Sequence, residues 1–166
     1  MRGLCRILSG GQTGVDQAAL RAALAAGLSV SGWCPPGRRC ETGTIPALFP
    51  LIETPEDRSA FTPDVPRSLR TEWNVRDSDA TLILHLGPVA DSGTMATRHF
   101  CACRGKPLLA FELARPDGAD AVLAWLRHER IEVLNVAGPA ESAHPGIGAR
   151  AFECLLPIFA ACRETG

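Results

Sequence analysis

The sequence predicts an α/β protein built on a mostly parallel sheet. Three observations carry that reading. Short strand-like apolar runs alternate with helical patterns along the whole chain. One run, Ala80 to Leu86 (ATLILHL), is continuously apolar, as expected of a strand covered on both faces of a parallel sheet. Strand-like runs also pass through glycine-rich corners straight into helices, the wiring of βαβ units.

Gly3 to Ser9 reads as a buried first strand. Thr13 to Gly27 reads as a helix, with Val15, Ala18, Ala19, Ala22, Ala23 and Ala26 at helical spacing. Thr13 is placed as its N-cap, Asp16 as the capping-box acid, and Gly27 as its C-terminal stop. Leu28 to Trp33 is the second strand. Residues 34–66 are dense in proline and glycine without a sustained period, a long ordered loop with at most a short turn or strand. Ile45, Leu48, Phe49, Leu51 and Ile52 argue for its order.

A short helix runs from Ser68 to near Asp77, followed by the Ala80 to Leu86 strand. A helix spans Thr94 to Gly105, and Lys106 to Leu113 is the next strand. Asp117 is a plausible cap for a helix from Gly118 to Glu129. Ile131 to Gly138 is the last strand, and a closing helix starts near Gly146. Pro157 is expected to kink or end that helix, because it lacks a donor and clashes with the preceding turn.

The length, 166 residues, fits one domain spanning residues 1–166. A formal net charge of -1 gives no global attraction to nucleic acid or an acidic membrane. Lys106 is the only lysine among many arginines. Arginine suits bidentate capture of oxyanions, though genome composition produces the same bias. No signal-peptide pattern opens the sequence and no apolar run reaches membrane length, so a cytoplasmic protein is expected. Seven cysteines, an odd number without metal-ligand spacing, read as scattered thiols rather than disulfides or a metal site.

In such sheets a ligand lies beyond the carboxyl ends of the strands. The informative residues are therefore those that follow each strand. Gly10, Gly11, Gln12, Thr13 and Gly14 follow the first. Arg38 and Arg39 follow the second, Ser92, Gly93, Thr94 and Thr97 the Ala80 to Leu86 strand, and Asn135, Gly138, Glu141 and Ser142 the last. Two of these corners lead into helix N-termini, which favour anions, and Arg38 and Arg39 either clamp the same group or stay solvated. The set fits a small phosphate-bearing ligand. Alone, GGQTG matches neither the dinucleotide fingerprint nor the Walker loop, so a plain turn stays open for it. On this placement Gly11 and Thr94 both accept valine without unfolding the chain. Asn74 and Arg70 are within reach of the site, against the alternative of a helix surface. Asp16 reads as a cap before a catalytic acid, and His85 as a core residue. Asp91 and Glu112 are acid–base candidates without a visible nucleophile.

SGGQTGVDQAAL, GWCPPGRRCETGTIP, RTEWNVRDSDATLIL, SGTMAT, KPLLAFEL and NVAGPAES stand here in one order. That series resembles the molybdenum carrier family, in which the chain is identified as a circularly permuted relative of the YpsA type within the SLOG superfamily. The resemblance implies a Rossmann-like three-layer αβα domain, a homo-oligomer (dimer or tetramer), and carriage of the molybdenum cofactor, a molybdopterin with one phosphate. The wider superfamily implies a nucleotide-like ligand instead, with a nucleotide sensor or nucleotide-processing enzyme as the alternative. By position, Gly10, Gly11, Thr13 and Gly14 match the first glycine-rich loop of that family. Ser92, Gly93, Thr94 and Thr97 match the second, where relatives commonly read G-G-T. The phosphoribohydrolase branch carries PGGxGTxxE, and here Arg98 and His99 stand where its glutamate is sought, so that activity is not carried over.

Overall fold

The computed structural model describes residues 3–88, 91–115 and 118–164. Five parallel strands form the central sheet: β1 (Arg6–Leu8), β2 (Ser29–Ser31), β7 (Ala80–His85), β8 (Leu108–Glu112) and β9 (Val133–Ala137), in the order β2-β1-β9-β7-β8. Between β2 and β7 lie four two-residue strands, β3 (Trp33–Cys34), β4 (Arg39–Cys40), β5 (Gly43–Thr44) and β6 (Ile52–Glu53). The helices are α1 (Val15–Ala25), α2 (Ser68–Asp77), α3 (Ser92–Arg104), α4 (Gly118–His128) and α5 (Ile147–Glu164). Asp117 lies outside the described residues. No helix among the described residues is long and apolar enough to cross a membrane.

The layers follow from which apolar faces meet. Ala18, Ala19, Ala22 and Ala23 of α1 carry side chains short enough for α5 to come close, and they share one core with Ala151, Leu155, Ile158 and Phe159 of α5 and Val122 and Leu126 of α4. On the other face α2 and α3 pack together through Val75, Ala96, Phe100 and Cys101. Sheet residues Ile7, Leu82, Leu84, Leu134 and Val136 are buried between the layers. The result is a three-layer αβα, Rossmann-like sandwich. Pro157 does not end α5, which runs on to Glu164. None of the seven cysteines is in a disulfide; Cys34, Cys40, Cys101 and Cys162 are buried.

Strand Leu28 to Trp33, expected as one piece, is two. It breaks at Gly32, whose φ is 138°. A Cβ there would stand 2.3 Å from the Ser9 carbonyl oxygen, so the chain presses backbone to backbone on the end of β1 and then leaves the main sheet. β3 instead pairs in parallel with β6, and β4 with β5 as a small hairpin. The long loop is ordered by its own core of Cys34, Cys40, Ile45, Phe49 and Leu51, closed by Leu20 of α1. Arg38 holds it from within, donating from Nη1 to the Leu51 carbonyl and from Nη2 to the carbonyls of Pro46 and Phe49, at 2.9–3.0 Å.

The lone lysine has a structural post. Lys106 Nζ donates to the carbonyls of Val75, Arg76 and Ser78, where α2 leaves its last carbonyls without helical partners. Asp79 accepts from the N–H groups of Glu132 and Val133 at 3.0 and 2.8 Å and so fixes the entry to β9.

The strand order carries topological information. Counted from β7, the order becomes 2-1-3-4-5, the common doubly wound arrangement, with the chain opened between its third and fourth strands. The switch point, where consecutive connections diverge, lies between β7 and β9.

Gly11 is a packing glycine. Its φ is +76°, and a Cβ would meet Leu51 Cδ1 at 2.5 Å and Ile45 Cδ1 at 3.0 Å. The expected tolerance of valine at this position is therefore corrected. Gly11→Val should destabilise the fold by about 2 kcal/mol or more, visible as a fall in Tm; an unchanged Tm would remove Gly11 from the packing of the 34–53 loop.

Candidate functional site

At the carboxyl ends of β1, β7 and β9 opens a cleft of about 280 Å³. Its walls come from four places: Gln12 and Asp16 after β1, Arg67, Arg70 and Thr71 around the start of α2, Asp91 to Thr94 with Thr97 at the start of α3, and Ala137 to Ala140 with Ser142 and Ala143 at the end of β9 and beyond it. Glu41, on the β4–β5 hairpin, reaches its rim. The cleft thus lies at the switch point, where the fold leaves a gap between diverging connections.

Of the residues expected in the site, Gln12, Ser92, Gly93, Thr94 and Thr97 line the cleft. Gly10, Gly11, Thr13 and Gly14 do not, and each has another task. A Cβ on Gly10 would stand 2.1 Å from Arg70 Nη1, so the missing side chain makes room for a guanidinium. Gly14, with φ +77°, lets the loop touch the Pro139 carbonyl, 2.5 Å from where its Cβ would be. Thr13 is not a helix cap: Gly14 holds that position, and the Thr13 hydroxyl donates to Glu41 and accepts from the Glu141 N–H at 3.2 Å. Arg38 and Arg39 are likewise corrected. Neither lines the cleft; the Arg38 guanidinium is spent on three loop carbonyls, and the Arg39 carbonyl accepts from Gln12 Nε2 at 2.9 Å.

The cations of the site are Arg67 and Arg70. Arg70 Nη1 pairs with Asp16 Oδ2 at 3.2 Å, with side chains 16% and 3% exposed. Asp16 also accepts from the Gln12 N–H at 3.2 Å, so it braces the first loop while it holds the arginine. Burial pushes the Asp16 carboxyl above its ordinary value, against the pull of Arg70, the Gln12 N–H and the Ser9 hydroxyl. Arg67 Nη1 donates to Gln12 Oε1 at 2.8 Å, an uncharged acceptor. Sequence reasoning passed over Arg67 and left Arg70 open; Arg67 stands just before α2 with a left-handed φ of 57°, so helical spacing does not pair the two.

Asp91 is the N-cap of α3. Its Oδ1 accepts from the Thr94 N–H at 2.8 Å and its Oδ2 from the Thr94 hydroxyl at 2.7 Å. Thr97 donates back to the Gly93 carbonyl at 3.0 Å. The N-terminus of α3 therefore already holds a carboxylate. The other acid–base candidate, Glu112, does not line the cleft; it accepts from the Gly87 N–H at 2.9 and 3.1 Å and lies 3.4 Å from His85 Nδ1. Asn74 clamps the Trp33 backbone on both sides at 2.9 Å, and Asn135 is buried beside Thr81.

Glu41 fastens the hairpin over the cleft rim. It accepts from the Thr13 hydroxyl, the Ser142 hydroxyl and, at 3.1 Å, the Ser142 N–H. The hydroxyls of Ser142 and Thr13 hold its carboxyl below the ordinary value of 4.5. Glu141, one loop further on, accepts from the N–H groups of Gly146 and Gly148 at the start of α5.

Fold and cleft together define a doubly wound, Rossmann-like protein with an open cleft at its switch point. The sequence from residue 7 to 159 matches the model of the circularly permutated YpsA SLOG family, and the chain belongs to that family. It is similar in structure to the "putative molybdenum carrier protein" of Syntrophus aciditrophicus SB, with a TM-score of 0.82 and 37% identity over 95% of this chain and 96% of that one. No curated protein matches it.

Two measurements test this account. Asp16→Ala leaves Arg70 buried without its counter-charge and should cost about 3 kcal/mol; loss of less than about 1 kcal/mol in denaturant titration would show the pair to be dispensable. Because the folded-state value for Glu41 is depressed, its contribution is present above its ordinary 4.5 and is lost as pH falls through the lower folded value. Hydrogen exchange of the Arg39–Thr44 hairpin should therefore rise below that range and be raised already at pH 7 in Glu41→Gln. Equal protection in both proteins at both pH values contradicts the latch.

Proposed function

We propose that the chain binds a small phosphate-bearing ligand in the switch-point cleft and serves as a carrier, with molybdopterin as the ligand that its family resemblance favours. The observation that carries the reading is the pair of arginines on the cleft wall, Arg67 just before α2 and Arg70 in its first turn. Arginine offers a fork of donors matched to a phosphate. Around it the cleft supplies the hydroxyl of Ser92 as a further polar partner, and the alanines at 137, 140 and 143 as apolar surface. The lining mixes charged and polar side chains with apolar ones, as a ligand with an anionic and an organic part requires.

The residues fit the organic part of such a cofactor better than a bare metal. Among the described residues no group of three His, Cys, Asp or Glu side chains is arranged to hold a metal ion. Molybdenum would be supplied on the ligand's own sulfur atoms, and the protein's part is to grip phosphate and ring and to limit their exposure to water.

A carrier reading is also supported by how the carboxylates are used. Asp16 is paired with Arg70, Asp91 is hydrogen-bonded to Thr94, and Glu112 is outside the cleft. Each has a structural partner, and a poised acid–base pair is not among them. Assembly as a homo-oligomer, dimer or tetramer, is part of the same proposal and is read by light scattering.

Purified protein, released by denaturation and analysed by mass spectrometry and elemental analysis, should yield an organic monophosphate with a pterin ring and molybdenum in near-equal amount. Recovery of an adenine nucleotide with turnover in solution would replace the carrier reading by a nucleotide-processing one.

A further inference from the structure

We infer that the cleft selects a monophosphate ester and rejects a diphosphate, seating one compact anion against Arg67 and Arg70 and turning a second away with Asp91. The inference rests on the phosphate-ligand reading and gives that ligand its class: a single phosphate on a body that carries no second phosphate and offers hydroxyl or amine donors towards α3.

The charges of the cleft are unevenly committed. Arg70 is held by Asp16 at 3.2 Å and fitted over Gly10, so it is fixed in place and largely neutralised. Arg67 gives Nη1 to the neutral Gln12 amide, and among the described residues no carboxylate lies within 4.0 Å of its guanidinium. Arg67, which no carboxylate pairs directly and which Glu41 faces only at longer range, beside the paired Arg70 suits one compact anion. The two guanidiniums also repel each other, a repulsion that an anion between them relieves.

The start of α3 is the other place where this fold would put a phosphate. Here the Asp91 carboxylate occupies it, bonded to the N–H and the hydroxyl of Thr94 at 2.8 and 2.7 Å. Its Oδ1 lies 3.4 Å from where a Cβ of Gly93 would project, so the bare backbone of Gly93 is screened by a negative charge. A second phosphate extending towards α3 would meet a like charge. A hydroxyl or amine meets an acceptor with lone pairs to spare. The same residues thus repel one chemistry and receive the other, which is how specificity arises from an opposing element as well as an attractive one.

Asp91→Asn separates charge from shape, because asparagine caps a helix as well as aspartate. Arg67→Gln removes the free cation from an exposed position with little risk to folding. Binding of ribose 5-phosphate and of inorganic pyrophosphate would be measured by calorimetry on the full chain at constant ionic strength. The wild-type chain should prefer ribose 5-phosphate. Arg67→Gln should weaken it about fivefold or more, and Asp91→Asn should strengthen pyrophosphate by about fivefold without strengthening ribose 5-phosphate. Pyrophosphate bound as tightly as ribose 5-phosphate by the wild type, or Asp91→Asn leaving pyrophosphate within twofold, overturns the inference while phosphate binding as such stands. Binding of neither probe to the wild-type chain overturns the phosphate-ligand reading and this inference with it.

Discussion

A guanidinium occupies the space that any side chain at residue 10 would need. Arg70 reaches from α2 across the end of β1, lies where a Gly10 Cβ would clash at 2.1 Å, and meets the buried Asp16 at 3.2 Å. Much of the site depends on that one pairing. Asp16 holds the Gln12 N–H, and Gln12 in turn holds Arg67 and the Arg39 carbonyl. A buried carboxylate without a counter-charge is expensive, and so is a buried guanidinium. Each is therefore tolerated only in the arrangement that brings α2 onto the first loop.

The long segment between β2 and α2 completes this arrangement. It makes its own small core, tied by Arg38 to three carbonyls, and lays the β4–β5 hairpin beside the first loop. Glu41 then joins the hairpin to the loop after β9 through Thr13 and Ser142. Three stretches distant in sequence are held at one sheet edge by hydrogen bonds to a single exposed carboxylate. This end of the site is held by exposed hydrogen bonds, individually weak, whereas the Asp16–Arg70 end is buried.

Circular permutation leaves that chemistry in place. Counting strands from β7 gives the ordinary doubly wound order, and the cleft sits at the switch point that the order dictates. Moving the termini changes which loop is first in sequence but not which strands are neighbours. The family membership of residues 7–159 and the likeness to the Syntrophus protein agree with this geometry.

The sequence alone determined the α/β class, the alternation of elements and the edge of the sheet where the cleft opens, because hydrophobic period and strand–helix corners are local properties. Of the residues it singled out, Gln12, Ser92, Gly93, Thr94 and Thr97 stand on the cleft wall. Tertiary structure decided the rest. Gly10, Gly11 and Gly14 looked like a phosphate cradle, but a glycine is silent about what comes close to it, and here side chains and backbone of other segments do. Arg38 looked available because its carbonyl partners become neighbours only when the loop folds. Arg67 and Arg70 became the cations of the site only once α2 was packed across β1, a contact between residues more than fifty positions apart. Charge pairing across such distances is a property of the packed chain, and no local pattern encodes it.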